Sequence, residues 1–341
     1  MPVRFTKSTK NIHFLDPRKE FQHTQASFEF RFDPLTRKRS RVTNLKFRFV
    51  HPPDLQSIIE KSAKRPCPFC RGNVDDMTPK FIPEFAPEGR ISIGDALVFP
   101  NSMPYDQHNA LAIFSRDHFV SLTQFSESLL FNGFLAAQAF FNHVAEKNSR
   151  CKYFCINWNY MPPSGGSLIH PHLHLMADKE PSDHHRLLMQ RGKRYYKKFG
   201  INYWDDLIEE ERRRKVRYIG ETGSVCWLVY FAPKGMMFDV MGIFRKNLSI
   251  LDLTRQQVRD FSQGLQKIFS YLEQKNLYSF NLALYSGIKE KEYFWTHVRL
   301  IPRFTIPPVD TSDVSFTSLL HEESLATLRP EDVCWEIRES W

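Results

Sequence analysis

Glycine and cysteine are both scarce, at 14 and six in 341 residues. So little glycine, beside 21 prolines, excludes collagen-like and low-complexity architectures. Six thiols, two of them in a Cys-x-x-Cys, are too few for a disulfide scaffold and point to reduced cysteines with a candidate metal site. No apolar run approaches the roughly 18 residues of a membrane span, and the opening MPVRFTKSTKNIHF carries no signal-peptide core. The expectation is a soluble cytoplasmic protein without a membrane partner. Acidic side chains are the minority charge, 38 Asp and Glu against 47 Lys and Arg. The resulting net charge of +9 favours anionic partners without choosing among nucleotides, sugar phosphates and nucleic acid. Apolar residues are plentiful, 42% of the chain. A compact chain of this length buries about 75% of its unfolded surface, so a folded globular protein is expected.

Hydrophobic periodicity organises the middle of the sequence. The stretch from Asp95 to Phe114 alternates about a Pro-Asn-Ser-Met-Pro turn and reads as a hairpin. A helix follows, with Leu130, Phe134, Ala137, Phe141 and Val144 forming one apolar stripe. CKYFCINWNY, the loop MPPSGGS and HPHLHLMAD then give strand, loop, strand. The same order recurs after about 130 residues. VCWLVYFAPK and MGIFRKN supply two strands, and Thr254 with Gln257 a capping box. Val258, Phe261, Leu265, Ile268 and Leu272 repeat the helical stripe, and SFNLALYSG and FWTHVRLIPR complete the set. The reading is α+β: an internal repeat of two α+β halves, antiparallel sheets with helices packed on one face. The first half spans residues 1–178, the second 221–304, with a polar connection at 179–220 and a tail at 305–341. The connection, with EEERRRKVR, reads as a solvated helix laced by i,i+4 ion pairs. The tail ends in LRPEDVCWEIRESW, a short helix with Pro330 near its start.

HPHLH carries the sharpest chemical signal. His170, His172 and His174 occupy alternate positions, so on a strand all three imidazoles project to one face. The preceding loop, Ser164 to Ser167, is SGGS, whose backbone N–H groups can approach phosphate oxygens because glycine has no Cβ. A phosphate held against a nucleophile is the reaction this juxtaposition suggests. Cys67 and Cys70 stand at zinc-knuckle spacing, but no second Cys-x-x-Cys follows, so the other two ligands of a metal would be histidines. His118, in FSRDH, and His170 are the candidates; buried free thiols and redox chemistry are the competing readings of the pair. Cys151, Cys155, Cys226 and Cys334 lie in apolar sequence and read as core residues.

Six short segments, in order, resemble the galactose-1-phosphate uridylyltransferase family, a branch of the histidine-triad superfamily. They are RFDPLT (Arg31 to Thr36), KRPCPFC (Lys64 to Cys70), VFPN (Val98 to Asn101), FSRDH (Phe114 to His118), Asn159 with Ser167, and HPH (His170 to His172). The resemblance implies histidine-triad-like halves, a zinc site at Cys67, Cys70, His118 and His170, and His172 as nucleophile. A nucleoside diphosphate sugar would bind with its α-phosphorus facing His172 and form a nucleotidyl-histidine with expulsion of sugar 1-phosphate. A second phosphate would then collect the nucleotide, giving ping-pong kinetics. With four protein ligands the zinc would be structural. Ser167 would stabilise phosphate oxygens, Phe99 and Asn101 would meet base and ribose, and Asn159 phosphates or ribose. Arg31 is a further substrate contact implied by the match, and a homodimer is the assembly it implies.

Two departures qualify the match. The family usually has Gln at the third position of the histidine run, whereas this chain has His174, the residue of the hydrolase branches. A Gln amide donates without a titratable proton, while a histidine can add charge or protonate a leaving group. In the second half, His297 matches one metal position but Arg299 replaces a further histidine, so no second metal is expected. Arg299 and Arg303 would instead meet a sugar phosphate. The leading reading is a uridylyltransferase-like nucleotidylyltransferase. The alternatives are a phosphorylase or hydrolase of nucleotide sugars or dinucleoside polyphosphates, and a nucleic-acid-binding protein with a vestigial site. RKRSR and RRRKVR suggest the last, but no nucleic-acid motif accompanies them.

Overall fold

The computed structural model describes residues 3–43, 54–289 and 291–341. It opens with a long antiparallel hairpin, β1 (Thr6–Asp16) and β2 (Gln22–Phe32), paired from Thr6 opposite Phe32 to Asp16 opposite Gln22. The RFDPLT segment is the turn that follows, where Asp33 Oδ1 accepts from the backbone N–H groups of Leu35 (3.0 Å) and Thr36 (2.7 Å). β3 (Arg39–Val42) continues this small sheet. The chain then runs through α1 (Leu55–Ala63), α2 (Val74–Met77), β4 (Ile91–Ile93), β5 (Ala96–Pro100), β6 (His108–Ile113), α3 (Glu127–Lys147), β7 (Tyr153–Tyr160) and β8 (His172–Asp178). The connection carries α4 (Asp183–Phe199) and α5 (Tyr203–Arg214). Next come β9 (Tyr218–Thr222), β10 (Val225–Val229), β11 (Val240–Phe244), α6 (Arg255–Gln274), β12 (Ser279–Tyr285) and β13 (His297–Arg303). The tail adds β14 (Thr305–Ile306), β15 (Thr311–Ser312), α7 (Phe316–Leu319), β16 (Ser324–Ala326) and α8 (Pro330–Glu339).

The ten strands from β4 to β13 form one antiparallel sheet in the order β4-β5-β6-β8-β7-β12-β13-β11-β10-β9. Strand order in one half mirrors that in the other about the β7–β12 pair, and the fold is α+β as the periodicity implies. One face is hydrocarbon. Leu173, Trp158, Phe280 and Leu300 project from it against α3 and α6, whose apolar stripes are buried along their lengths. Both helices begin on side-chain caps: Ser126 accepts from Leu129 N–H, and Thr254 and Gln257 close a capping box.

The opposite face differs between halves, which corrects the expectation that helices lie on one face only. In the second half α5 covers it, burying Tyr203, Trp204, Leu207 and Ile208 against Leu228, Met241 and Ile243. The connection is therefore an amphipathic layer rather than a solvated helix, although Arg213 and Arg214 do pair with Glu210. In the first half Cys67, Phe69 and Val74 cover the corresponding face over β5 and β6, packing on Leu97, Phe99, Leu111 and Ile113, and polar side chains of β7 and β8 stand beside them. Among the described residues no helix is long and apolar enough to cross a membrane.

Candidate active site and metal centre

Sequence separation hides the first feature of the site. The turn at Cys67–Cys70, the segment after β6 and His170, two residues before β8, converge, so donor atoms of Cys67, Cys70, His118 and His170 lie within 4.8 Å of one another. Cys70 Sγ is 3.2 Å from His118 Nδ1 and 3.7 Å from His170 Nδ1, and Cys67 Sγ is 3.8 Å from His170 Nδ1. A tetrahedral zinc with ordinary Zn–S and Zn–N bonds has S···N edges of about 3.5 Å, so the donor set fits that ion. The outer nitrogens are held as well: His170 Nε2 meets Ser115 O at 2.9 Å and His118 Nε2 meets Ser62 Oγ at 2.8 Å. Each ring therefore presents Nδ1 inward, the arrangement by which ligating histidines are oriented. Burial and the neighbouring Cys67 push the Cys70 thiol up to about 12 in the bare protein, a tendency a dication would reverse. The cluster can hold a metal.

His170 lies outside the strand that carries the other two imidazoles. β8 begins at His172, and His170 precedes it, turned toward the cysteines. His172 and His174 share the polar face, their ring centroids 5.0 Å apart. His172 Nδ1 lies 2.8 Å from the carbonyl oxygen of His170 and donates to it, so Nε2 carries the lone pair. Burial holds His172 below the usual histidine range and hence neutral. Phe69, between the two cysteines, packs edge-on against His170 (5.7 Å) and His172 (5.3 Å). One ring thus joins the metal cluster to the bare imidazole.

The SGGS loop lies against the end of β7 through Gly166. Gly165 has φ +88°, and a Cβ on Gly166 would sit 3.0 Å from Asn159 O and 3.2 Å from Met161 O. Ser167 is exposed and lines a cavity of about 670 Å³ with Lys61, Lys64, Arg65 and His118. Asn159 reaches across to the second half, where its Oδ1 accepts from Asn281 Nδ2 at 2.7 Å. Asn281 Oδ1 in turn accepts from Arg303, which is paired with Asp313. Arg303, expected to meet a sugar phosphate, is thus engaged by Asn281 and Asp313.

Other expected contacts are placed differently. Phe99 is 1% exposed and packs on Phe69 at 5.3 Å, so it supports the site from beneath instead of facing a base. Asn101 spends its amide on Asn109 Oδ1 (2.8 Å) and its oxygen on Met103 N–H (3.1 Å). Arg31 is fully buried, its guanidinium bound by Glu29, Glu331 and the Phe231 carbonyl, with no donor left for substrate. Arg299 is likewise taken up by Asp239 at 2.7 Å and Ala232 O at 3.2 Å, under the ring of Tyr230. These two arginines hold the fold together because each meets a carboxylate distant in sequence. Tyr105, which sequence reasoning missed, stands 2.6 Å from His174 Nδ1. An exposed tyrosine in a turn gives no periodic signal.

In the second half His297 occupies the place of His172 in the mirrored order: it starts β13, and its Nδ1 lies 3.0 Å from the carbonyl two residues back, that of Trp295. Trp204 of α5 stacks on the ring at 3.9 Å and seals it. Among the described residues only the first half gathers a set of metal-ligating side chains.

No protein-family model matches the chain. A protein of Archaeoglobus fulgidus described as uncharacterized is 30% identical over 314 residues, covering 92% of each chain. Among solved structures, the ADP-glucose phosphorylase of Arabidopsis thaliana with bound ADP-glucose is similar at TM-score 0.69 and 17% identity, over 91% of this chain and 98% of that one. A GalT-like protein from Arabidopsis thaliana gives TM-score 0.70 at 16% identity, over 92% and 99%. A uridylyltransferase gives TM-score 0.67 at 18% identity, over 91% and 97%. At these identities the likeness establishes the fold.

Proposed function

We propose that this chain, which belongs to the same protein family as the Archaeoglobus fulgidus protein and has the GalT-like fold of the histidine-triad superfamily, transfers nucleotidyl groups by way of His172. The observation that carries the reading is the fixed tautomer of that ring: Nδ1 is committed to the His170 carbonyl, 2.8 Å away, which leaves the lone pair on Nε2. Nε2 attacks the α-phosphorus of a nucleoside diphosphate hexose in line. The N–P bond forms as the bond to the bridging oxygen breaks, and hexose 1-phosphate leaves with that oxygen. A phosphate oxygen of the acceptor then attacks the same phosphorus, the N–P bond breaks, and the free imidazole returns.

In this reading Ser167 and the adjacent backbone N–H groups stabilise the equatorial oxygens, where negative charge gathers. Asn159, steadied by Asn281, orients the nucleotide across the joint between halves. The cavity beside Ser167, bordered by Lys61, Lys64 and Arg65, has the charge to receive an anionic acceptor. A zinc ion held by Cys67, Cys70, His118 and His170 would be structural, with all four positions taken by protein. It would tie the loop of Phe69 to the residue two before the nucleophile.

Incubation with UDP-glucose or ADP-glucose labelled at the α-phosphate, without acceptor, tests the proposal. Labelled protein and a burst of one sugar 1-phosphate per site support it, and the better donor identifies the base. Addition of inorganic phosphate or a hexose 1-phosphate then shows which one discharges the enzyme. Steady release of free nucleotide without acceptor makes the protein a hydrolase and contradicts the reading.

A further inference from the structure

We infer that Tyr105 is a positioning residue for this reaction: its hydroxyl donates to His174 Nδ1 and thereby keeps a proton on His174 Nε2, setting a neutral N–H donor beside the nucleophile. This deepens the proposed function and rests on it. The geometry is a contact of 2.6 Å between Tyr105 Oη and His174 Nδ1, with the rings 6.1 Å apart and tilted by 34°. Either group could in principle donate. An imidazole lone pair is the stronger acceptor and a phenol the stronger donor, so the proton of the bond belongs to tyrosine. The two neighbouring imidazoles are then tethered in opposite senses. His172 donates a hydrogen bond from Nδ1–H to a carbonyl and shows a bare Nε2; His174 accepts a hydrogen bond at Nδ1 and shows Nε2–H.

The surroundings keep that ring uncharged. His174 stands opposite Leu111 of β6 and Asn157 of β7, neither of them titratable. Among the described residues the titratable groups against it are His172, on its own strand, and Tyr105, from the turn before β6. Burial, reinforced by His172, pushes His174 down to about 4.

The consequence concerns the acceptor. With Nε2 protonated and Nδ1 occupied, the ring has no lone pair with which to take a proton from water. It can only donate a hydrogen bond to a phosphoryl oxygen, which is what an amide at the same position would do. A histidine tethered in this way favours transfer to a phosphate, which needs no general base, over hydrolysis of the nucleotidyl-histidine, which does.

The test combines nitrogen NMR of histidine-labelled, zinc-loaded protein with product partition. The expected spectrum has His174 protonated at Nε2 and unprotonated at Nδ1, unchanged from pH 8 to pH 5. A proton on Nδ1, or a midpoint near the ordinary histidine value, overturns the inference. Tyr105 is 60% exposed, so Tyr105→Phe is expected to fold normally. In that variant the tautomers should mix and the ratio of hydrolysis to transfer should rise about 3- to 10-fold, the worth of one hydrogen bond. Unchanged tautomer and partition in Tyr105→Phe also overturn it. Turnover that survives His172→Ala would refute the proposed function instead, whatever the His174 spectrum shows.

Discussion

Phe69 offers the clearest coupling of stability to chemistry. It is 6% exposed and sits between Phe99, His170 and His172 at centroid distances of 5.3, 5.7 and 5.3 Å. Phe69→Ala removes that wedge. The cost of such a truncation in a packed site is about 3–5 kcal/mol. For a chain of 341 residues the melting entropy is about 0.7 kcal/mol/K, so the midpoint should fall by about 4–7 °C. Turnover should fall further than stability explains, because a misplacement of about 1 Å at a reacting atom costs about 100-fold. Phe69→Leu restores most of the volume but neither edge-on contact, each worth about 0.5–1.5 kcal/mol, so it should recover the midpoint better than the rate. Thermal melts, metal analysis and the acceptor-free burst, measured on both variants, separate these effects. An unchanged midpoint in Phe69→Ala, or a full burst at the wild-type rate, refutes the packing argument.

Three further outcomes follow from the geometry. Cys67→Ala should lower the zinc content and the melting midpoint, whereas His172→Ala should leave both unchanged while losing turnover; metal analysis beside melts checks both. Arg299→Ala leaves Asp239, 0% exposed, as an uncompensated buried carboxylate and should cost about 3–5 kcal/mol in denaturant titrations, with Arg299→Met/Asp239→Asn recovering most of it. Burial pushes His297 down to about 3 and His185 down to about 4. The unfolded chain therefore takes up protons below about 6.5 that the folded chain refuses, so stability should decline as pH falls from about 6.5 toward 4 and be insensitive to these groups above that range. His297→Gln should flatten the decline, and a midpoint independent of pH across the window contradicts the assignment.

The core of both halves is legible in the sequence because burial imposes periodicity: Leu130 to Val144 and Val258 to Leu272 mark α3 and α6, and both are buried as their spacing requires. The metal cluster is legible because its donor types are rare and its Cys-x-x-Cys spacing is specific. The β1–β2 hairpin left no signal, since β1 is exposed along almost its whole length and no buried face patterns its residues. Arg31 and Arg299 looked available because their partners, Glu331 and Asp239, lie 300 and 60 residues away. Phe99 carries the composition of a base-stacking residue, and only its packing on Phe69 reveals the supporting role. The covering of His297 depends on α5 folding back over the sheet, which charge runs such as EEERRR conceal.

The most direct measurement is the mass of the peptide containing His172 after acceptor-free incubation with the preferred nucleotide sugar. The account predicts one added nucleotidyl group on His172, discharged by the phosphate acceptor and absent from His172→Ala. A nucleotidyl group on another residue, or catalytic transfer with His172 unmodified throughout, contradicts it.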